Sequence, residues 1–272
     1  MKMVLKDGNR KVLTLSYDDG GVQDKRLVAL LDKYRLKGTF NISSGRYSEG
    51  DVDPERGRLT RKSAIALFKD SVHEVAIHGY THPYLNQLDT SEIIYEIVED
   101  KRNVEIDYGV IARGMAYPFG RYNEEIADIL KKCHISYARI TKPTIRYDFP
   151  ENWLMLAPTC HHNYENLMEL AKEFVETQER YGNARMFYLW GHSHEFDAHN
   201  NWHVIEQFAE YISGRDDIWY ATNIEIYDYV EAYKRLQTSY DKTRVYNPSV
   251  IPVWVEIRGN VYCVEAGQVL VL

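Results

Sequence analysis

The chain has 272 residues, 44% hydrophobic and 27% charged, enough for one large domain or one domain with a small appendage. A net charge of −7 without a basic cluster argues against a nucleic-acid partner, and no apolar run approaches the roughly 18 residues of a membrane span. Three widely spaced cysteines, Cys133, Cys160 and Cys263, form no CxxC pair and no disulfide framework, as in a reducing compartment. Lys2 follows Met1 with no apolar leader, so a cytoplasmic location is expected. The 22 tyrosines are unusual; such aromatics stack on sugar rings, though tyrosine is also common at boundaries.

Strand-like and helical runs alternate along most of the chain. Residues 12–17 read as a strand and 24–34 as a helix with Leu27, Leu30, Leu31 and Tyr34 on its apolar side. Strand 38–42, helix 61–69, strand 73–77 and helix 90–105 follow, the last started by Thr90 or Ser91 as N-cap. Next come strand 111–117, helix 123–133, strand 135–139, an irregular stretch over 140–163, helix 164–181, strand 186–190, helix 202–212, strand 218–221 and helix 224–235. Seven strand–helix units predict an α/β fold of parallel strands with right-handed crossovers, closed or nearly closed into a barrel, with the active site at the strands' carboxyl ends. From 243 onward the helical period is lost. Runs at 253–257, 261–264 and 269–272, split by turns, predict a small β appendage. The expected division is a barrel over 1–240 and an appendage over 241–272 packed on it.

Four motifs follow predicted strands. In the first, Asp18 and Asp19 end a buried run before Gly20 and Gly21; adjacent buried carboxylates need a cation or donors, and the glycines permit a sharp turn. In the second, His78 and His82 are four apart before Pro83, a spacing that places both on one side of a helical turn to share a metal. In the third, Tyr117, Pro118, Phe119 and Gly120 form a turn whose backbone N–H groups could donate to an oxyanion. In the fourth, Trp190 and Gly191 precede His192 and His194, with Glu195 and Asp197 nearby; a histidine beside a carboxylate can stay protonated near neutral pH. A turn or a surface histidine explains each motif alone; their common location makes coincidence of all four a poor account.

These motifs resemble the polysaccharide deacetylase family, also called the NodB-homology domain or carbohydrate esterase family four, over roughly residues 10–235. The likeness rests on Tyr17–Asp18–Asp19–Gly20, on His78 through Pro83, on Tyr117–Pro118–Phe119–Gly120 and on Trp190–Gly191–His192, with the run from Lys37 to Asn41 resembling the family's second strand. It implies a distorted (β/α)7 barrel and metal-dependent removal of acetyl groups from an N-acetylated sugar or oligosaccharide, with metal-bound water as nucleophile. It further implies Asp18 as base, Asp19, His78 and His82 as ligands of one divalent ion, Phe119 N–H as oxyanion donor and His192 as acid, preferred over His194. Zinc is the first expectation for the ion, with Fe, Co, Ni or Mn as alternatives.

Three positions depart from the family pattern. Ala116 stands where an arginine often tethers the base, with Arg113 the nearest arginine. Asn152–Trp153 replaces an Asp–Trp pair, so the group that orients the acid is expected at Asp148, Glu195, Asp197 or elsewhere. The fourth motif continues into Ser193 and His194. Tyr117, Phe119, Gly120, Arg113, Trp190, His161 and His194 complete the expected substrate-binding set. The alternatives are an amidohydrolase or O-acetyl esterase on a non-sugar substrate, or a sugar-binding barrel without turnover. No nucleic-acid or membrane partner is expected.

Overall fold

All eight positions of Lys11–Asp18 are buried, the pattern of a strand covered on both faces. The structure, a computed structural model, describes residues 1–177 and 183–272, and this strand lies inside its main sheet, paired along both edges. In chain order the first half holds β1 (Lys2–Val4), β2 (Lys11–Asp18), α1 (Asp24–Lys33), β3 (Gly38–Ile42), α2 (Arg61–Phe68), β4 (Glu74–Ile77), α3 (Thr90–Tyr108), β5 (Gly114–Ala116), α4 (Glu124–Lys132) and β6 (Tyr137–Arg139). The second half holds β7 (Cys160–His161), α5 (Leu167–Glu176), β8 (Arg185–His192), α6 (His194–Ala198), α7 (Trp202–Ile212), β9 (Ile218–Tyr220) and α8 (Asn223–Lys234). It ends with β10 (Gln237–Thr238), β11 (Arg244–Tyr246), β12 (Val253–Ile257), β13 (Asn260–Val264) and β14 (Val269–Val271).

Seven strands pair in parallel in the order β6-β5-β4-β3-β2-β8-β7 and curl as a half-barrel. The eighth, β9, pairs only with Lys11–Leu13, because β3 takes Leu15–Asp18 on the same strand. The seven-strand path is the distorted, incompletely closed barrel that was expected, with β9 wedged beside one end of β2 instead of extending the path. The helices bury apolar stripes against the sheet, such as Leu27, Val28 and Leu31 of α1 and Ile126, Ile129 and Leu130 of α4. Each such side chain contributes about 1.5–3 kcal/mol relative to exposure.

Several local expectations are corrected. The N-cap of α3 is Asp89, which accepts from Ser91 and Glu92 N–H while the Glu92 carboxylate accepts from Asp89 N–H. The stretch 140–163 contains β7, too short to show periodicity, and the fourth motif contains the five-residue α6. Within the expected helix 164–181, α5 is shorter at the start, and residues 178–181 lie outside the described residues. The C-terminal strands form two small antiparallel sheets, β1-β12-β13 and β10-β11-β14. Val253, Val255 and Val264 share a buried cluster with Leu5, Val12, Tyr229 and Val230, so these residues close over α8. No helix among the described residues is long and apolar enough to cross a membrane.

Candidate active site

Strand register assembles the site. Asp18, the last residue of β2, is level with Asn41 on β3 and His192 on β8, and Ala116 on β5 is level with Arg139 on β6. Asp18 Oδ1 accepts from Asn41 Nδ2 at 2.8 Å, and Oδ2 pairs with the Arg139 guanidinium. His78 Nε2 and His192 Nε2 lie 3.8 and 3.9 Å from Oδ2 on separate flanks. Burial alone would raise the Asp18 pKa. Arg139, then His78 and His192, more than offset it, and the carboxyl titrates below its ordinary range.

Asp19, His78 and His82 converge: one ligand atom from each lies within 4.8 Å of the others. His78 Nδ1 donates to Ala116 O at 2.7 Å, since a carbonyl only accepts, so its Nε2 lone pair is directed to the group. Asp100 accepts from His78 N–H at 2.9 Å and fixes the backbone there. His82 Nε2 lies 3.2 Å from His78 Nε2 and 3.6 Å from Asp19 Oδ1. Burial keeps both imidazoles neutral, His82 titrating at about 4, with the neighbouring His78 adding to the depression. Asp19 is opposed by burial but drawn down to about 2 by His78, Arg58 and further histidines. Two neutral nitrogen lone pairs and one anionic oxygen at these separations fit a single divalent cation. The histidines do not lie on a helical turn, as their spacing suggested. They flank a short loop in which His82 N–H donates to Gly79 O, and His82 adopts φ +58.

Asp19 and Phe119 are also left-handed, at φ +81 and +56. In the third motif, Gly120 and Arg121 N–H are taken by Tyr117 and Pro118 carbonyls, leaving Phe119 as the turn residue whose N–H these two bonds do not consume. The Phe119 ring stacks on Tyr84 at 3.9 Å and meets the His82 ring edgewise, and both Phe119 and Tyr84 remain exposed at the rim. Tyr117 is buried beneath, its hydroxyl donating to Leu154 O.

His192 faces Asp18 through Nε2, while its Nδ1 lies 3.3 Å from Glu195 Oε1. Burial lowers its pKa, but Glu195 and Asp18 outweigh this and raise it. His194 is one ring further out, 5.3 Å from the His192 ring, and lines a cleft of about 740 Å³ with Asp19, Arg56 and Arg58. His161 pairs with Glu195 Oε2 at 3.1 Å, and Trp190 lies over the Arg139 guanidinium at 4.2 Å.

One expected residue is not brought to the site. Arg113 precedes β5, at the opposite end of the sheet, and is held in a two-pronged pair with Asp228 at 2.7 Å. Arg139 sits against Asp18 instead, a completely buried arginine that reads in sequence only as the end of a strand. Among the carboxylates considered for the acid, Asp148 is exposed and Asp197 is engaged with Trp202 and Gln23; Glu195 is the one at His192. Asn41, Arg58, Asp100 and His162 are further residues that sequence reading gave no role.

Residues 5–138 match the model of the polysaccharide deacetylase family. The chain is 26% identical over 126 residues to the uncharacterized protein YlxY of Bacillus subtilis, covering 46% of this chain and 36% of that protein. It is 27% identical over 127 residues to the peptidoglycan-N-acetylmuramic acid deacetylase PdaC of the same organism, covering 46% and 25%. The chain therefore spans about a quarter to a third of the length of these curated relatives. A crystal structure of a candidate polysaccharide deacetylase from Mycobacterium smegmatis has the same fold, with a TM-score of 0.61 at 16% identity, covering 86% of this chain and 95% of that one. The first three motifs thus lie in the part of the chain, residues 5–138, that is similar to the polysaccharide deacetylase family.

Proposed function

We propose that the chain is a divalent-cation-dependent hydrolase that removes acetyl groups from N-acetylated sugar units. The observation that carries this reading is the arrangement around Asp18: a group of metal-ligating atoms on one flank, a histidine with raised pKa on the other, and Arg139 with Asn41 behind. Asp19, His78 and His82 would hold the cation. When bound, it supplies positive charge that acidifies water and polarises the acetamide carbonyl. Asp18, kept ionised by Arg139 and aligned by Asn41, accepts the proton of the attacking water. Phe119 N–H donates to the oxygen as negative charge develops on it. His192 delivers a proton to the departing nitrogen, which cannot leave as an anion. The exposed Tyr84–Phe119 pair beside His82 offers an aromatic face to a sugar ring, and the resemblance to PdaC supports an amino-sugar substrate.

The test is acetate release from N-acetylglucosamine and its short oligomers by protein loaded separately with Zn, Mn, Co, Ni or Fe. Simple acetamides and O-acetyl esters belong in the same panel. Asp18→Asn should silence turnover and keep the cation. Loaded protein inert on every substrate would leave a binding barrel; hydrolysis confined to the non-sugar compounds would move the activity to another substrate class.

A further inference from the structure

Beyond His192 lies a second group of metal-ligating atoms that the proposed reaction does not use. His161 Nε2 and His162 Nε2 lie 3.1 and 3.0 Å from the same atom, Glu195 Oε2, and one ligand atom from each of the three residues lies within 4.8 Å of the others. Ligands each roughly 2.0–2.1 Å from one cation, at angles between right and tetrahedral, sit about 2.8–3.4 Å apart. His162 is completely buried, its ring stacked on Phe196 at 4.2 Å and on Tyr17 at 5.8 Å. Despite their closeness, His162 Nε2 and Glu195 Oε2 have no hydrogen-bond partner among the described residues. The nitrogen is near the oxygen but not aligned to share a proton with it, an unfavourable state for buried polar atoms unless a third body joins them. Gly191 makes room for this ring: a Cβ there would stand 2.1 Å from His162 Nδ1. Glu195 uses Oε1 toward His192, which leaves Oε2 for this group.

We propose that His161, His162 and Glu195 form a second divalent-cation site, sharing no ligand with Asp19, His78 and His82. Two imidazole nitrogens and one carboxylate oxygen suit Zn, Co or Ni better than Mg or Ca. A cation there ties the end of β7 to α6. Ligation through His161 Nε2 places that ring's proton on Nδ1, so the 3.2 Å contact it accepts from Asn163 N–H is exchanged for water at the exposed side of the ring.

The full chain, stripped with chelator, is titrated with Co(II) while visible absorption is followed, and bound metal is counted by mass spectrometry after dialysis. The expected result is about two cations per chain, about one in His161→Gln and in Glu195→Gln, and about one in His82→Gln. Circular dichroism checks that each variant is folded; His161, at the protein surface, is the substitution least disruptive to the core. About one cation in the unsubstituted chain, lost with His82→Gln, would overturn the second site and leave the deacetylase reading standing. So would an unchanged count in His161→Gln. These counts are read without substrate, so absence of acetate release would bear on the proposed function alone.

Discussion

The two flanks of Asp18 are built differently. On the Asp19–His78–His82 flank, backbone groups position the central ligand, with the Ala116 carbonyl on the His78 ring and the His78 N–H on the Asp100 carboxylate, while Arg58 pairs with Asp19. On the His192 flank, side chains position side chains. Glu195 stands among His161, His162 and His192, and the three histidines draw its carboxyl well below the ordinary range against the opposing effect of burial. A flank held by backbone should tolerate changes around it and fail only when a ligand is removed. A flank held by mutual charge should respond in a graded way to each member and to pH.

The largest expected effect comes from breaking the first flank outright. His82→Ala, or chelation of the unsubstituted protein, should reduce acetate release to background, and added cation should restore only the latter. Next is Asp18, the proposed base, with its guanidinium partner Arg139. Asp18→Asn should cut kcat about 10²–10⁴-fold and, by leaving Arg139 buried without its anion, cost roughly 3–5 kcal/mol of stability in chemical denaturation. Arg139→Met should show a similar loss. The double variant should regain much of it; additive losses would show that the two act separately.

On the second flank, His192→Asn should lower kcat about 10²-fold and change the shape of the pH profile. Asp18 has a lowered pKa and must be ionised, so activity falls as pH drops through that value; His192 has a raised pKa and must be protonated, so activity falls as pH rises through its own. The variant should lose the alkaline limb and keep the acid one. If both limbs persist, the acid lies elsewhere.

The smallest effect concerns Asp24, buried by α1 with neither oxygen hydrogen-bonded among the described residues and, through burial, titrating at about 8. Its acid is neutral in the folded chain while the unfolded chain ionises it above the ordinary carboxylate value near 3.8. Stability should therefore decline as pH rises from about 4 to 8 and level off above. Asp24→Asn should flatten that decline in thermal melts without changing kcat; an unchanged slope would assign it to other groups.

The legible parts of this molecule were those that one segment settles alone. The strand ending in Asp18–Asp19, the His78–His82 pair and the third-motif turn are contiguous, and hydrophobic runs located the strands that carry them. What escaped depends on register between segments. Arg113 lies close to Ala116 in sequence, yet it precedes β5 and belongs to the far end of the sheet; Arg139, more distant along the chain, is the residue level with Ala116. Glu195 was one of three carboxylates considered for the acid, and only the packing of β8 against β7 brings it together with His161 and His162. The place of β9 was hidden for a similar reason, since sequence alternation counts strands but does not say that β3 and β9 share one edge of β2.

The left-handed backbone at Asp19, His82 and Phe119 bears on how this protein would evolve or be engineered. Non-glycine residues held there cost on the order of 1–3 kcal/mol each, so the scaffold carries these positions as a standing debt. Directed evolution for heat resistance alone should therefore drift toward glycine at 19, 82 and 119, producing hardier chains that have lost two expected cation ligands. Phe119→Gly is the informative member of that set: it relieves the backbone, keeps the N–H and removes only the aromatic face.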